Sequence, residues 1–302
     1  MKVHMVTHWM GYRGPKQPWP RIVRYLRDHL GWSASYKLDP GADVNYILTY
    51  SVGMRRYDHP WDVWRGPTAC RFEERPAYGL KARLWDEGIN TASLRLSEAR
   101  RHTEWLQQFG PAARVRFFPV ERDLFIPVDR PKHERPTIGV VGYCSGMTGR
   151  KGQVLVNQLA HYPGAQHWRV KAAGMGWPVK TTEYHYRDLP RFYQSLDVHL
   201  CPTLSRDSPT SPYEALACGV PLVIPRGVPL LDELPFTLGV YRYEQGDFDD
   251  MFRMLAQCID ELGTYDRQAL RDLTVDMTPH NLCFDHERIF AAHFGGLTCT
   301  TI

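Results

Sequence analysis

Residues 205–226 read SRDSPTSPYEALACGVPLVIPR, a polar, proline-punctuated loop running into a short helix and then an apolar strand. The helix is expected over residues 211–218. Gly219 stops it, because glycine takes the left-handed conformation of a helix C′ position without a Cβ clash. A wholly apolar strand, residues 220–224, follows. Loop, helix and strand in this order belong to an α/β sheet. The helix start, expected to be its exposed end, offers unpaired N–H groups and the positive end of a dipole at Ser208, Thr210 and Ser211, with Glu214 one turn inside. Such a terminus is an anion site by construction.

Outward from this stretch, the second half of the chain alternates. Strands are expected at 137–143, 168–174, 198–203 and 239–243. Helices are expected at 153–161 and 188–196, in a tail from about 247, and in an amphipathic segment at 281–294. Residues 121–136 lose this periodicity and carry three prolines among charged residues, which marks a linker. The first half repeats the plan, with strands at 3–9, 45–50, 68–73, 91–96 and 115–120. A helix from Pro20 is ended by Gly31, and another over 97–109 is capped by Ser97 and stopped by Gly110. Strands spaced by helices imply parallel sheets with right-handed crossovers. The expected architecture is α/β, two Rossmann-like domains facing a central cleft. The first occupies 1–127 and the second 128–280; a terminal helix within 281–302 packs back on the first.

At 302 residues, 43% hydrophobic and 23% charged, the composition is that of a soluble globular protein of two domains. No apolar run approaches the roughly 18 residues needed to span a bilayer, and MKVHMVTHW lacks a signal-peptide core, so the expected location is cytoplasmic. The seven cysteines are scattered, with no C-x-x-C and no histidine at zinc spacing. The net charge of +4 is uneven: residues 1–130 carry 21 Lys and Arg against 14 Asp and Glu, the remainder 16 against 19. Seven of the nine tryptophans (Trp9, Trp19, Trp32, Trp61, Trp64, Trp85 and Trp105) lie in the basic part. That combination suits a polyanionic or stacking ligand such as nucleic acid or a sugar. Solvated arginine-rich helix faces and a small core filled by tryptophan give the same composition.

A second glycine-rich loop, GYCSGMTGRKG at 142–152, follows a strand and precedes a helix, so its N–H groups can approach a phosphate. It is not a P-loop, which ends in Gly-Lys-Ser/Thr; here Arg150 and Lys151 stand before Gly152. Two adjacent cations at a helix start oppose the dipole unless an anion joins them. Both loops fall at the carboxyl ends of strands, where open α/β sheets bind ligands. Two cations for a diphosphate and Glu214 for a ribose diol together ask for a sugar nucleotide.

Residues 214–221, Glu-Ala-Leu-Ala-Cys-Gly-Val-Pro, together with LPRFYQSLDVHLCPT at 189–203 and FPVERDLFIP at 118–127, resemble the donor half of retaining GT-B nucleotide-sugar glycosyltransferases of family 4. The resemblance is specific over 118–226 and weak before it. It implies a retaining, metal-independent transfer of a hexosyl or pentosyl group from a UDP-linked donor to a hydroxyl. No cofactor beyond the donor substrate is implied. Lys151 and Arg150 would take the leaving-group charge. Glu214, Ser211, Thr210, Ser208, Asp207 and Gly11 would bind the donor, and His8 would stand near the reacting sugar, with His102 the other candidate. The chain departs from the family in carrying Arg206 where the first of two glutamates falls and Tyr143 where an arginine falls. Two further readings stay open. One is a transferase acting on modified, hydroxymethylated bases of bacteriophage-type DNA through the basic N-terminal domain. The other is a nucleotide-sugar sensor without turnover.

Overall fold

The computed structural model describes residues 1–7, 19–48, 66–72, 75, 79–129, 134–144, 149–205 and 209–295. The chain divides into two compact units, one of Met1–Pro119 with Pro279–Ile302 and one of Val120–Thr278. Residues 120–127, read above as the end of the first domain, belong to the second, because Val120 and Phe125 are apolar and buried in its core.

In the first unit the order is β1 (Val3–Val6), α1 (Trp19–Leu30), β2 (Ser33–Ser35), β3 (Val44–Ile47), β4 (Thr68–Arg71), α2 (Leu80–Thr91), β5 (Leu94–Ser97), α3 (Arg100–Leu106) and β6 (Ala112–Arg114). The second unit continues with β7 (Thr137–Tyr143), α4 (Gln153–His161), β8 (Arg169–Met175), β9 (Lys180–Thr182), α5 (Leu189–Gln194) and β10 (Val198–Leu200). It ends with α6 (Ser211–Ala217), β11 (Leu222–Pro225), α7 (Pro229–Asp232), β12 (Val240–Tyr243), α8 (Phe248–Asp260) and α9 (Arg267–Asp272). The last helix, α10 (Pro279–Phe294), returns to the first unit. Each unit holds a six-stranded sheet, ordered β2-β1-β3-β4-β5-β6 and β12-β11-β10-β7-β8-β9, with parallel pairing throughout. The second-unit sheet is covered on both faces, one core gathering Leu216, Leu222 and Ile224 and the other Ile138, Val140, Val223 and Leu255. Buried on two sides, such strands need apolar residues at every position, which is why β11 shows no alternation.

Helix α10 is fixed by an aromatic cluster. The Phe290 ring lies 4.7 Å from Trp32, and His286 is fully buried beside Tyr46 and Phe117. His286 Nδ1 is 2.8 Å from the Leu282 carbonyl and must donate to it, so Nε2 accepts from the Tyr46 hydroxyl at 3.2 Å. Burial pushes the His286 pKa down to about 4, in keeping with a neutral ring. An ion pair from Arg116 to Asp285, 2.9 Å, ties the same helix to the chain after β6.

Three expectations are corrected. Residues 115–120 are not a strand: β6 ends at Arg114, and Val115, Phe117 and Phe118 fill the core as irregular chain. Ser97 does not cap a helix; it closes β5, its hydroxyl 3.1 Å from His102 Nδ1, and α3 begins after Ala99. β3 ends at Ile47 and β4 at Arg71, so Leu48 and Phe72 fall outside the strands expected to include them, while the expected ends Tyr50 and Glu73 lie outside the described residues. Helix α2 was not anticipated, although Leu84, Trp85 and Ile89 bury one of its faces. Among the described residues no helix is long and apolar enough to cross a membrane.

Candidate functional site

In the second unit the chain runs β7, β8, β9 to one side, then returns to β10 beside β7 and runs out the other way through β11 and β12. Loops leaving the carboxyl ends of β7 and β10 therefore part from each other, and this divergence is where open parallel sheets take their ligands. The two loops are the glycine-rich stretch ending at Gly152 and the stretch leading into α6. The structure brings them together. The Arg150 carbonyl accepts from the Leu204 N–H at 2.8 Å and from the Thr203 hydroxyl at 3.2 Å. Gly152 sits at φ 75°, and a Cβ there would lie 1.8 Å from the Pro202 carbonyl oxygen, so only glycine permits the contact.

Lys151 lies between the two strand ends. Its side chain passes near Gly142 and the Trp177 ring, whose N–H donates to the Gly142 carbonyl at 2.9 Å. Its charge also reaches thiols on both sides of the divergence, Cys144 after β7 and Cys201 after β10. Burial pushes each of these thiols up to about 11, with Lys151 acting in the opposite sense. A raised pKa keeps them as thiols, the form that is the weaker nucleophile. Among the described residues the half-buried Lys151 ammonium enters no ion pair or hydrogen bond. Arg150 is exposed.

Helix α6 lies between β10 and β11 in the chain. Thr210 is its N-cap, and Ser211 and Pro212 open its first turn. The sequence suggested an exposed helix start; the structure buries the helix along its whole length, with Ser211 8% exposed and Thr210 half-buried. Ser211 Oγ is 3.2 Å from Nε2 of the buried His199, whose pKa burial pushes down to about 3. Glu214 is 4% exposed and accepts from the Tyr193 hydroxyl at 2.8 Å. The far end of the helix closes in a Schellman motif: Val220 N–H bonds to the Ala215 carbonyl, Gly219 N–H to Leu216, and Gly219 has φ 66°. Two arginines of α9 satisfy the remaining carbonyls. Arg267 donates to Cys218 and Gly219 and also to Val128; Arg271 donates to Ala217, Phe125 and Arg122.

Lys151, Arg150, Thr210, Ser211 and Glu214 thus belong to one region of one unit. His8, Gly11, Asp207 and Ser208, with Arg206, lie outside the described residues. His102 is in the other unit, stacked on Trp105 with ring centres 5.7 Å apart, and burial pushes its pKa down to about 4. Tyr193, His199, Arg267 and Arg271 were missed. Tyr193 and His199 stand within LPRFYQSLDVHLCPT, but an isolated sequence does not show which side of α5 or β10 meets α6. No group of three or more His, Cys, Asp or Glu side chains among the described residues is placed to hold a metal ion.

Neither a family model nor a characterised protein matches the chain by sequence. Solved structures do match by shape. Anabaena Alr3699/HepE in complex with UDP superposes with a TM-score of 0.70 at 11% identity, over 97% of this chain and all of that one. Sucrose-phosphate synthase of Thermosynechococcus elongatus gives 0.69 at 10%, over 92% and 78%, and the lipopolysaccharide outer core galactosyltransferase WaaB 0.67 at 11%, over 97% and 100%. The fold is GT-B. As a GT-B chain it has two Rossmann-like units, and the described part of the predicted donor site falls in the C-terminal one, at its sheet divergence.

Proposed function

We propose that the chain is a retaining, metal-independent glycosyltransferase that moves a sugar from a UDP-linked donor to a hydroxyl acceptor. The observation that carries the reading is Lys151, a cation without an ion-pair partner among the described residues, held near Gly142 and Cys144 at the end of β7 and near Cys201 after β10. An unpaired, half-buried cation at a ligand edge calls for an anion. A nucleotide diphosphate supplies one, and HepE has been solved with UDP and with UDP-glucose.

In this reading the bond from the sugar's anomeric carbon to the β-phosphate oxygen breaks as the acceptor oxygen attacks the same face. The acceptor's proton passes to the departing phosphate oxygen. Lys151 and Arg150 oppose the charge that builds on the phosphate, and the backbone amides at Thr210 and Ser211 add their dipoles. Glu214 accepts from the ribose hydroxyls, and no step calls for a metal ion. Donor binding is also assigned to Gly11, Asp207 and Ser208, the reacting sugar to His8 and the acceptor to the N-terminal unit; these four residues lie outside the described ones. All six described cysteines are free thiols, five of them buried, which suits a cytoplasmic location.

The DNA reading has lost part of its basis, since Trp32 and Trp85 are core residues; Trp105 is 38% exposed. Incubation with UDP-sugars and detection of released UDP separates transfer from mere sensing. Lys151→Ala should lower release by about 100-fold, the usual cost of removing one preorganised charge contact. Glu214→Ala should lose most activity while the melting curve stays cooperative. Near-normal release by both variants would overturn the assignment.

A further inference from the structure

The proposed role of Glu214 needs a buried carboxylate that stays ionised and points one way. The inward side of α6 supplies a device for this. Tyr193, on α5, is fully buried, and its ring packs against Phe125, Phe192 and His199 with centres 5.6–6.0 Å away, so it has one place to be. Its hydroxyl reaches Glu214 Oε2 at 2.8 Å. A carboxylate can only accept there, so the phenol donates. Burial, and next the Glu214 charge, raise the Tyr193 pKa, which keeps the proton on the phenol.

Building on that assignment of Glu214, we infer that Tyr193 is a positioning residue: its hydroxyl fixes the Glu214 carboxylate as an acceptor for the ribose hydroxyls of the donor. Without the hydroxyl the carboxylate loses a contact that orients it, and its ionised form loses a buried hydrogen bond. Both changes act on ribose recognition and leave the diphosphate contacts alone. A merely structural tyrosine would weaken every ligand equally.

The discriminating quantity is a ratio. Calorimetry on the full chain compares UDP with 2′,3′-dideoxy-UDP for wild type, Glu214→Gln and Tyr193→Phe. Phenylalanine keeps the ring contacts and removes one oxygen. Wild type is expected to prefer UDP by about 10-fold or more, the effect of a hydrogen-bonded carboxylate left unpaired. In Tyr193→Phe this preference should fall to about 3-fold or less while dideoxy-UDP affinity holds. Tyr193→Met, which also lacks the hydroxyl, gives the same reading if the phenylalanine variant folds poorly. A full preference in both hydroxyl-less variants, with the preference lost in Glu214→Gln, would overturn the role of Tyr193 alone. If wild type has no preference, or Glu214→Gln keeps it, the ribose assignment fails and the role of Tyr193 with it.

Discussion

At the scale of single residues, Gly152 decides how near two loops can come. Its left-handed backbone and the Pro202 carbonyl oxygen 1.8 Å from where a Cβ would sit leave no room for any other side chain. Gly152→Ala meets a left-handed cost of about 1–2 kcal/mol before the steric clash is counted. That predicts a melting temperature lowered by roughly 4 °C or more, and a UDP affinity that falls because Lys151 is displaced; a scanning calorimeter and a titration check the two effects. Gly152 was readable in the sequence as part of a phosphate-approaching loop. Its partner Pro202 was not, since 50 residues separate them and only strand order makes them neighbours. The same holds for Glu214, whose identity was visible in Glu-Ala-Leu-Ala-Cys-Gly but whose Tyr193 contact required the packing of α5 on α6.

At the scale of elements, α6 is too short to be stable alone and is held at both ends by side chains from elsewhere. Thr210 and Gly219 define its limits locally, and the Gly219 stop was legible because the left-handed requirement is a property of one residue. Its clamp by Arg267 and Arg271 was not, because α9 comes about 50 residues later and its arginines look like surface charge. Arg271→Ala removes donors from three carbonyls at once, those of Phe125, Arg122 and Ala217. The expected loss is roughly 2–3 kcal/mol, as for hydrogen bonds to a charged group, measured as a lower urea midpoint with an unchanged slope. Arg271→Lys should recover only part of it, since one ammonium cannot reproduce the planar fork.

At the scale of the whole molecule, the alternation of strands and helices was enough to read two parallel α/β units, because buried parallel strands must be apolar throughout. Where apolar residues fill a core without pairing, as at Val115 and Phe117, the same signal misleads. The chain's crossings between units follow burial more than composition: Val120 and Phe125 carry the border to residue 120. Likeness in shape at 8–13% identity establishes a GT-B frame. What the frame holds depends on Lys151 and the sheet divergence. The most direct test is calorimetric titration of UDP into the full chain and into Lys151→Ala. Saturable binding to the wild type, weakened about tenfold or more in the variant, is the predicted result, tenfold being about 1.4 kcal/mol for one charge-assisted contact. No binding to the wild type, or equal binding to both proteins, would contradict it.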